Sequence, residues 1–274
     1  MRTPRPTPTP NKRTKAPLRL PWRDILDVLA LGTWSAMLFR YWFGGKLLLL
    51  LHPDYAWLSN TAAIVLLMLA AFMLVKVIKT LLRRQVRPMS GFADEGHVTL
   101  LPSNISSALL LGIAVFGLIY TPQAFASQTA AQRGISQSLT LTRSQPQRFV
   151  RAASPEERTV IDWIRLINVY PEPDEYAGEA VGVKGFVIYP EGWPEGYLMV
   201  SRFVLTCCAA DAYPVGLPVK LPADVTDARK TYPVDSWLDI SGEMVTETLG
   251  GQRQVAIAPT TLTTIDEPKN PYEY

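Results

Sequence analysis

The apolar residues of this chain follow two different patterns, and the change between them divides the molecule. Up to Tyr120 they come in long runs without a polar face; beyond Ala180 they alternate with polar residues at a period of two. The runs Ile25–Phe43, Ala56–Val75 and Leu100–Tyr120 each approach the roughly 20 residues that a helix needs to cross a bilayer core. They predict three transmembrane helices, at about 25–43, 56–75 and 100–120, in a membrane region covering 25–122. Buried helices of a soluble core are the competing explanation, which the missing polar face disfavours. Asp27 and Arg40 lie near the ends of the first run, where they can reach headgroups, and Tyr41, Trp42 and Phe43 suit an interfacial belt. Leu47–Leu51 is too short to span. It reads as an interfacial or re-entrant piece, or as an extension of the second helix broken at Pro53.

Residues 151–274 read as a soluble domain. Ser154, Pro155 and Glu157 have the spacing of an N-cap, first helical position and capping box. Val160, Ile161, Ile164 and Ile167 then continue as a helical stripe until Pro171 ends it. Five strands follow: Ala180–Tyr189, Tyr197–Cys207, Leu217–Leu221, Ser236–Glu247 and Gln254–Ile265. Gly250-Gly251 makes the last turn, and 223–230 holds a helical turn. Five strands with a helical insertion after the third predict a small all-β, OB-fold-like barrel preceded by one helix; a β-sandwich is the alternative. Residues 123–150, rich in Gln, Ser, Thr and Ala, read as a flexible linker, and 1–24 as a disordered basic N-terminus. Within the linker, Ala124-Phe125-Ala126 has the A-x-A form of a signal-peptidase site, a weak signal at an internal position.

Charge sharpens the division. Residues 1–122 hold 14 Lys/Arg and 5 Asp/Glu, a net +9; residues 123–274 hold 13 and 19, a net −6. The basic half is also the apolar half, which fits cationic anchors at a membrane face better than a nucleic-acid platform. Basic residues crowd the N-terminal flank and the connection at 76–87, whereas the first connection carries only Lys46. The positive-inside rule then puts the N-terminus in the cytoplasm and, after three crossings, the C-terminal domain outside.

Candidate chemistry is concentrated in one segment, Arg202–Leu217. It holds the only two cysteines, Cys207 and Cys208, with Asp211 and Arg202 close by. Thiolates with a carboxylate suit a divalent or soft metal ion. On a regular strand the two thiols would point to opposite faces, so they can share an ion only if the strand ends or bulges there. The competing reading makes one cysteine a small core hydrophobe and Asp211 a turn cap before Pro214. Alternation predicts one thiol facing the core and the other, with Asp211, near the surface. His52 and Lys46, in the first connection, are candidates for a site at the membrane. The sequence contains no nucleophile elbow, phosphate-binding glycine loop or HExxH, so the expectation is a non-catalytic protein.

The segment containing Arg202, Phe203, Cys207, Cys208, Ala210, Asp211, Ala212, Pro214, Gly216 and Leu217, with its CCxADA signature, resembles the YcgQ-like family of bacterial permease accessory subunits. Gly45-Lys46, His52-Pro53, the stretch Thr159–Ile167, Trp237 and Ser241-Gly242 extend the likeness. The resemblance implies a membrane region followed by a domain of unknown function, in the bacterial inner membrane, with a larger polytopic permease as partner. It leads to a non-catalytic accessory subunit whose outer domain binds a solute or metal ion. A membrane-tethered sensing or scaffold protein and a thiol-dependent redox protein are the alternatives.

Overall fold

All three apolar runs fold as helices: α1 (Trp22–Phe43), α2 (Ala56–Leu82) and α3 (Ser103–Ile119). The computed structural model describes residues 22–82, 103–120, 122–134 and 154–274. These fall into two units, one made of 1–40 and 59–121, the other of 41–58 and 122–274. Of the expected linker and N-terminus, residues 135–150 and 1–21 lie outside the described residues, as do 100–102 of the third run.

In the helical unit the packing is the reverse of a soluble bundle. Small residues meet inside: Ala30, Ala63, Ala70 and Ala114 are buried, and the buried Ser35 hydroxyl donates to the Ala63 carbonyl at 2.8 Å. Trp34 donates through Nε1 to the Leu110 carbonyl at 3.0 Å, and Ser107 donates to the Asp27 carboxylate. Large apolar side chains such as Leu67, Met68, Phe72 and Phe116 point outward. Small-residue contacts with polar cross-links are how helices associate when lipid surrounds them.

Among the described residues one stretch, Pro53–Leu82, is long and apolar enough to cross a membrane; its mean hydropathy is 2.6 and only 17% of its apolar window is buried. The expectation of three such spans is therefore corrected for the other two. α1 carries Arg23, Asp24, Asp27 and Arg40 within its 22 residues. The 17 described residues of α3 rise about 26 Å, short of the roughly 30 Å hydrocarbon core.

The second unit is built on a six-stranded mixed sheet: β1 (Ala180–Ile188), β2 (Tyr197–Val204), β3 (Tyr213–Lys220), β4 (Trp237–Leu249), β5 (Gln252–Ile265) and β6 (Tyr272–Glu273). The order β1-β4-β5-β3-β2-β6, with an added β1–β2 pairing, makes β1 to β5 a closed ring. The ring closes through one parallel contact, Val219 on β3 with Ile257 on β5. β1 meets β2 only over 186–188 and 199–201, and β6 pairs in parallel with Phe203 and Val204 beyond that point.

Helix α5 (Val160–Val169) plugs the ring with Val160, Ile161, Trp163 and Ile164. Its N-cap is Thr159, reciprocated by Asp162, not Ser154 as the spacing suggests. Residues 155–157 form a separate 3-10 turn, because Arg158 returns to extended backbone before the helix begins.

Five further expectations change. β2 ends at Val204, not Cys207, and β3 starts at Tyr213, not Leu217. Pro214 and Pro218 share parity on β3, so both missing N–H groups fall on the side away from the β2 ladder. A sixth, two-residue strand joins the expected five. The tether is partly ordered: α4 (Ser127–Arg133) buries Ala130 against the outer face of the ring, beside Phe125, Phe186, Phe203, Trp237 and Tyr272. That cover explains why the alternating pattern of β1 gives way to a run of buried residues from Gly185 to Ile188. Finally, Leu47–Leu51 belongs to the β unit, where 46–49 form a 3-10 turn.

The β1–β2 crossing tolerates no side chain at Gly185, whose Cβ would lie 2.6 Å from the Ser201 carbonyl oxygen. Gly185→Ala is expected to cost about 1–3 kcal/mol. Gly196→Ala, which meets nothing within 4 Å, should leave stability nearly unchanged. Thermal loss of near-ultraviolet circular dichroism from the full chain in detergent checks both; equal melting temperatures would contradict the crossing as drawn.

Candidate functional site

The loop from Leu205 to Ala212 joins β2 to β3 and carries both thiols. Because β2 has ended, strand alternation no longer applies, and the expectation of one core-facing cysteine fails. Cys207 is exposed and Cys208 half-buried, with their Sγ atoms 3.7 Å apart. Both thiols and the Asp211 carboxylate have donor atoms within 4.8 Å of one another.

Asp211 organises this turn. Its carboxylate accepts from the backbone N–H of Cys207 at 2.8 Å, of Cys208 at 3.2 Å and of Thr206 at 3.4 Å. Burial alone would raise its pKa, but the Cys207 thiol and these three N–H donors outweigh it and hold the carboxyl below its usual range. The reciprocal effect falls on the thiol. Accepted by the Asp211 carboxylate and lying beside Cys208, Cys207 is pushed up to about 12. It therefore stays a protonated thiol at neutral pH.

Two remote segments grip the loop. Residues 50–52 lie along it as an antiparallel bridge centred on Leu51 and Cys208. The His52 N–H donates to the Cys207 carbonyl at 3.1 Å, and the Ala209 N–H donates to the Leu50 carbonyl at 2.9 Å. From α4, Arg133 donates to the carbonyls of Ala209, at 3.4 Å, and Ala212. Neither grip was signalled in the sequence, since both join residues far apart in the chain and the bonded atoms on the loop are backbone.

The other candidates sit elsewhere. His52 lies opposite Cys207 in the bridge, yet its Nδ1 accepts the Asp54 N–H at 3.1 Å, which leaves the proton of the neutral ring on Nε2. The Asp54 carboxylate, 3.7 Å from the same nitrogen, becomes an ion-pair partner only when the ring is protonated. The ring packs edge-on against Tyr274, 4.7 Å between centroids, so His52 caps the start of a turn and wedges the strap in place. Lys46 opens the 3-10 turn ahead of the strap and is not among the clustered donors. Arg202 is drawn away to β6. It lies 3.4 Å from Glu273, donates to the carbonyls of Asn270 and Tyr272, and covers the Trp237 ring at 5.1 Å. Glu273 in turn accepts from the Ile161 N–H at 2.7 Å. Burial raises the Glu273 carboxyl, with Arg202 opposing it.

Residues 157–274 match the family model of the DUF1980 C-terminal domain, which covers α5, all six strands and the thiol loop. The match supports the resemblance to the YcgQ-like family for this part of the chain. No curated protein and no solved structure matches the chain.

The carboxylate–thiol contact fixes a pH response. A thiol pKa above the ordinary value means this contact stabilises the fold below the unfolded thiol's pKa and is lost as pH rises towards about 12. In a Cys208→Ala background, alkylation of Cys207 is expected to climb about tenfold per pH unit through about pH 10 without a plateau. Adding Asp211→Asn should speed it about tenfold or more at pH 8. A plateau in the parent near pH 8, read by mass spectrometry of the labelled chain, would contradict the contact.

Proposed function

We propose that this protein is a non-catalytic accessory subunit of a two-component permease. Helices anchor it in the inner membrane, and the β domain works on the outer face, presenting the 206–212 loop to a solute. The observation that carries the anchoring is the bridge between residues 50–52 and 207–209. It supports placing the connection between α1 and α2 on the same side of the membrane as the β domain. On this reading the chain crosses an even number of times between His52 and Pro122: α2, which is apolar enough to cross, is paired with the shorter α3 as its return. The shortness of α3 is met by local thinning of the bilayer or by a partner's helices.

Two further features support the reading. By the positive-inside rule, the basic residues at the N-terminus and at 76–87 favour a cytoplasmic position for those stretches of sequence. The ring connectivity, with β3 parallel to β5 and β4 returning to β1, is that of an OB-fold. On an acidic domain read as extracytoplasmic, this favours a small solute or a partner protein over nucleic acid. The permease partner itself rests on the family resemblance, and the outward apolar faces of α2 and α3 offer it a surface as well as lipid. The high pKa of Cys207 weighs against the redox alternative, which needs a ready thiolate.

Truncation fusions to a topology reporter should place residues 48 and 274 outside and residue 90 inside. Affinity purification from native membranes should then recover a polytopic permease. Residues 48 and 274 on opposite sides would refute the parity; the expected topology with no membrane partner would favour the sensing or scaffold alternative.

A further inference from the structure

We propose that Cys207, Cys208 and Asp211 bind a borderline-soft divalent d10 cation of the Zn2+ class. The inference deepens the reading of the 206–212 loop as the solute-presenting face. Two thiolates bound to a tetrahedral zinc at about 2.3 Å lie about 3.8 Å apart. Here the two sulfurs are already 3.7 Å apart, on adjacent residues that a strand would have separated. The third donor is in reach, all three donor atoms lying within 4.8 Å of one another. Asp211 is also oriented by three backbone N–H groups, the kind of outer-shell support that ligating carboxylates receive.

The donor set selects the ion. Two sulfurs disfavour Mg2+ and Ca2+, which take oxygen ligands, and a carboxylate tilts the set from Cu(I) towards Zn2+. As the ion binds, each thiol gives its proton to solvent and its sulfur electron pair to the metal; nothing is oxidised. Three protein donors leave a fourth tetrahedral position open, and Cys207 is exposed. Closed four-ligand sites hold zinc permanently, so an open one suits a cation that is received and passed on.

The loop is also gripped where ligand geometry would otherwise drift. The strap fixes the backbone on either side of Cys208, and Arg133 fixes the carbonyls of Ala209 and Ala212. The strap runs directly into Pro53 and α2, so the same hydrogen bonds tie the ion-binding turn to a membrane helix by the chain itself.

The test titrates the purified full chain in detergent with Co2+, then displaces it with Zn2+. The expected result is a thiolate-to-cobalt charge-transfer band saturating at one ion per chain and abolished by Zn2+. Cys207→Ala and Cys208→Ala should each lose the band. Outer-shell partners alone are worth about 10–100-fold in affinity, so Asp211→Asn should weaken Zn2+ binding at least about tenfold. Near-ultraviolet circular dichroism checks that each variant is folded. Should one misfold, protection of the wild-type thiols from alkylation by Zn2+ gives the same answer. No band together with no protection, Cu(I) binding without Zn2+ binding, or full affinity in Asp211→Asn would overturn the site. Ion binding needs no permease, so failure to recover a partner from membranes would sink the accessory-subunit reading and leave this inference standing.

Discussion

Two backbone hydrogen bonds, His52 to Cys207 and Ala209 to Leu50, constrain more of this molecule than their number suggests. Each is an ordinary amide–carbonyl contact, worth about 1 kcal/mol net. Their weight comes from what they join. On one side is a connection between apolar helices, on the other the turn that carries both thiols. Because they are backbone bonds, side-chain substitution does not remove them. They hold the register of the turn whose donors converge.

The domain beneath the turn is closed by its own packing and leaves Cys207 exposed. The ring interior is filled by α5 and the inward residues of β1 to β5, and the outer face near the loop is closed by Phe125, α4 and Tyr272. Arg202 and Glu273 meet in the middle of this packing. Their pairing, the Asn270 and Tyr272 carbonyls and the Ile161 N–H give both buried charges partners that oppose their desolvation without cancelling it. Polar groups that looked like one chemical cluster in the sequence thus separate into two: a buried clamp that seats β6, and an exposed trio around Asp211.

Much of the fold was legible because period and turn chemistry are local. The strand runs at 180–189 and 236–247 were found within a residue or two, as was the turn at Gly250-Gly251. Errors arose where a local signal met a tertiary contact. Ser154-Pro155 carries a helix-start signature, yet Arg158 leaves helical geometry and Thr159 takes over as the cap. Two prolines hid the start of β3, since their tolerance depends on which side of the strand has a neighbour. For the site, Cys207, Cys208 and Asp211 were identifiable from residue type, and the early end of β2 brought together what alternation would have parted. The strap and Arg133 were not identifiable, because nothing in a run of leucines or a polar linker names a partner more than seventy residues away.

The remoteness of the strap also sets an order of events. A contact between residues 50–52 and 207–209 encloses α2, α3, α4, α5 and the first two strands, so its loop-closure entropy must be met before it contributes anything. Contacts of such sequence separation form late. The strap has a surface to dock on only once the turn between β2 and β3 is in place. Until that last step the backbone N–H and C=O groups of the thiol turn that the strap covers are open to any extended chain nearby. Before the strap docks, the edge of the thiol turn is exposed, and the short, turn-flanked form of the strap limits how much foreign strand could take its place.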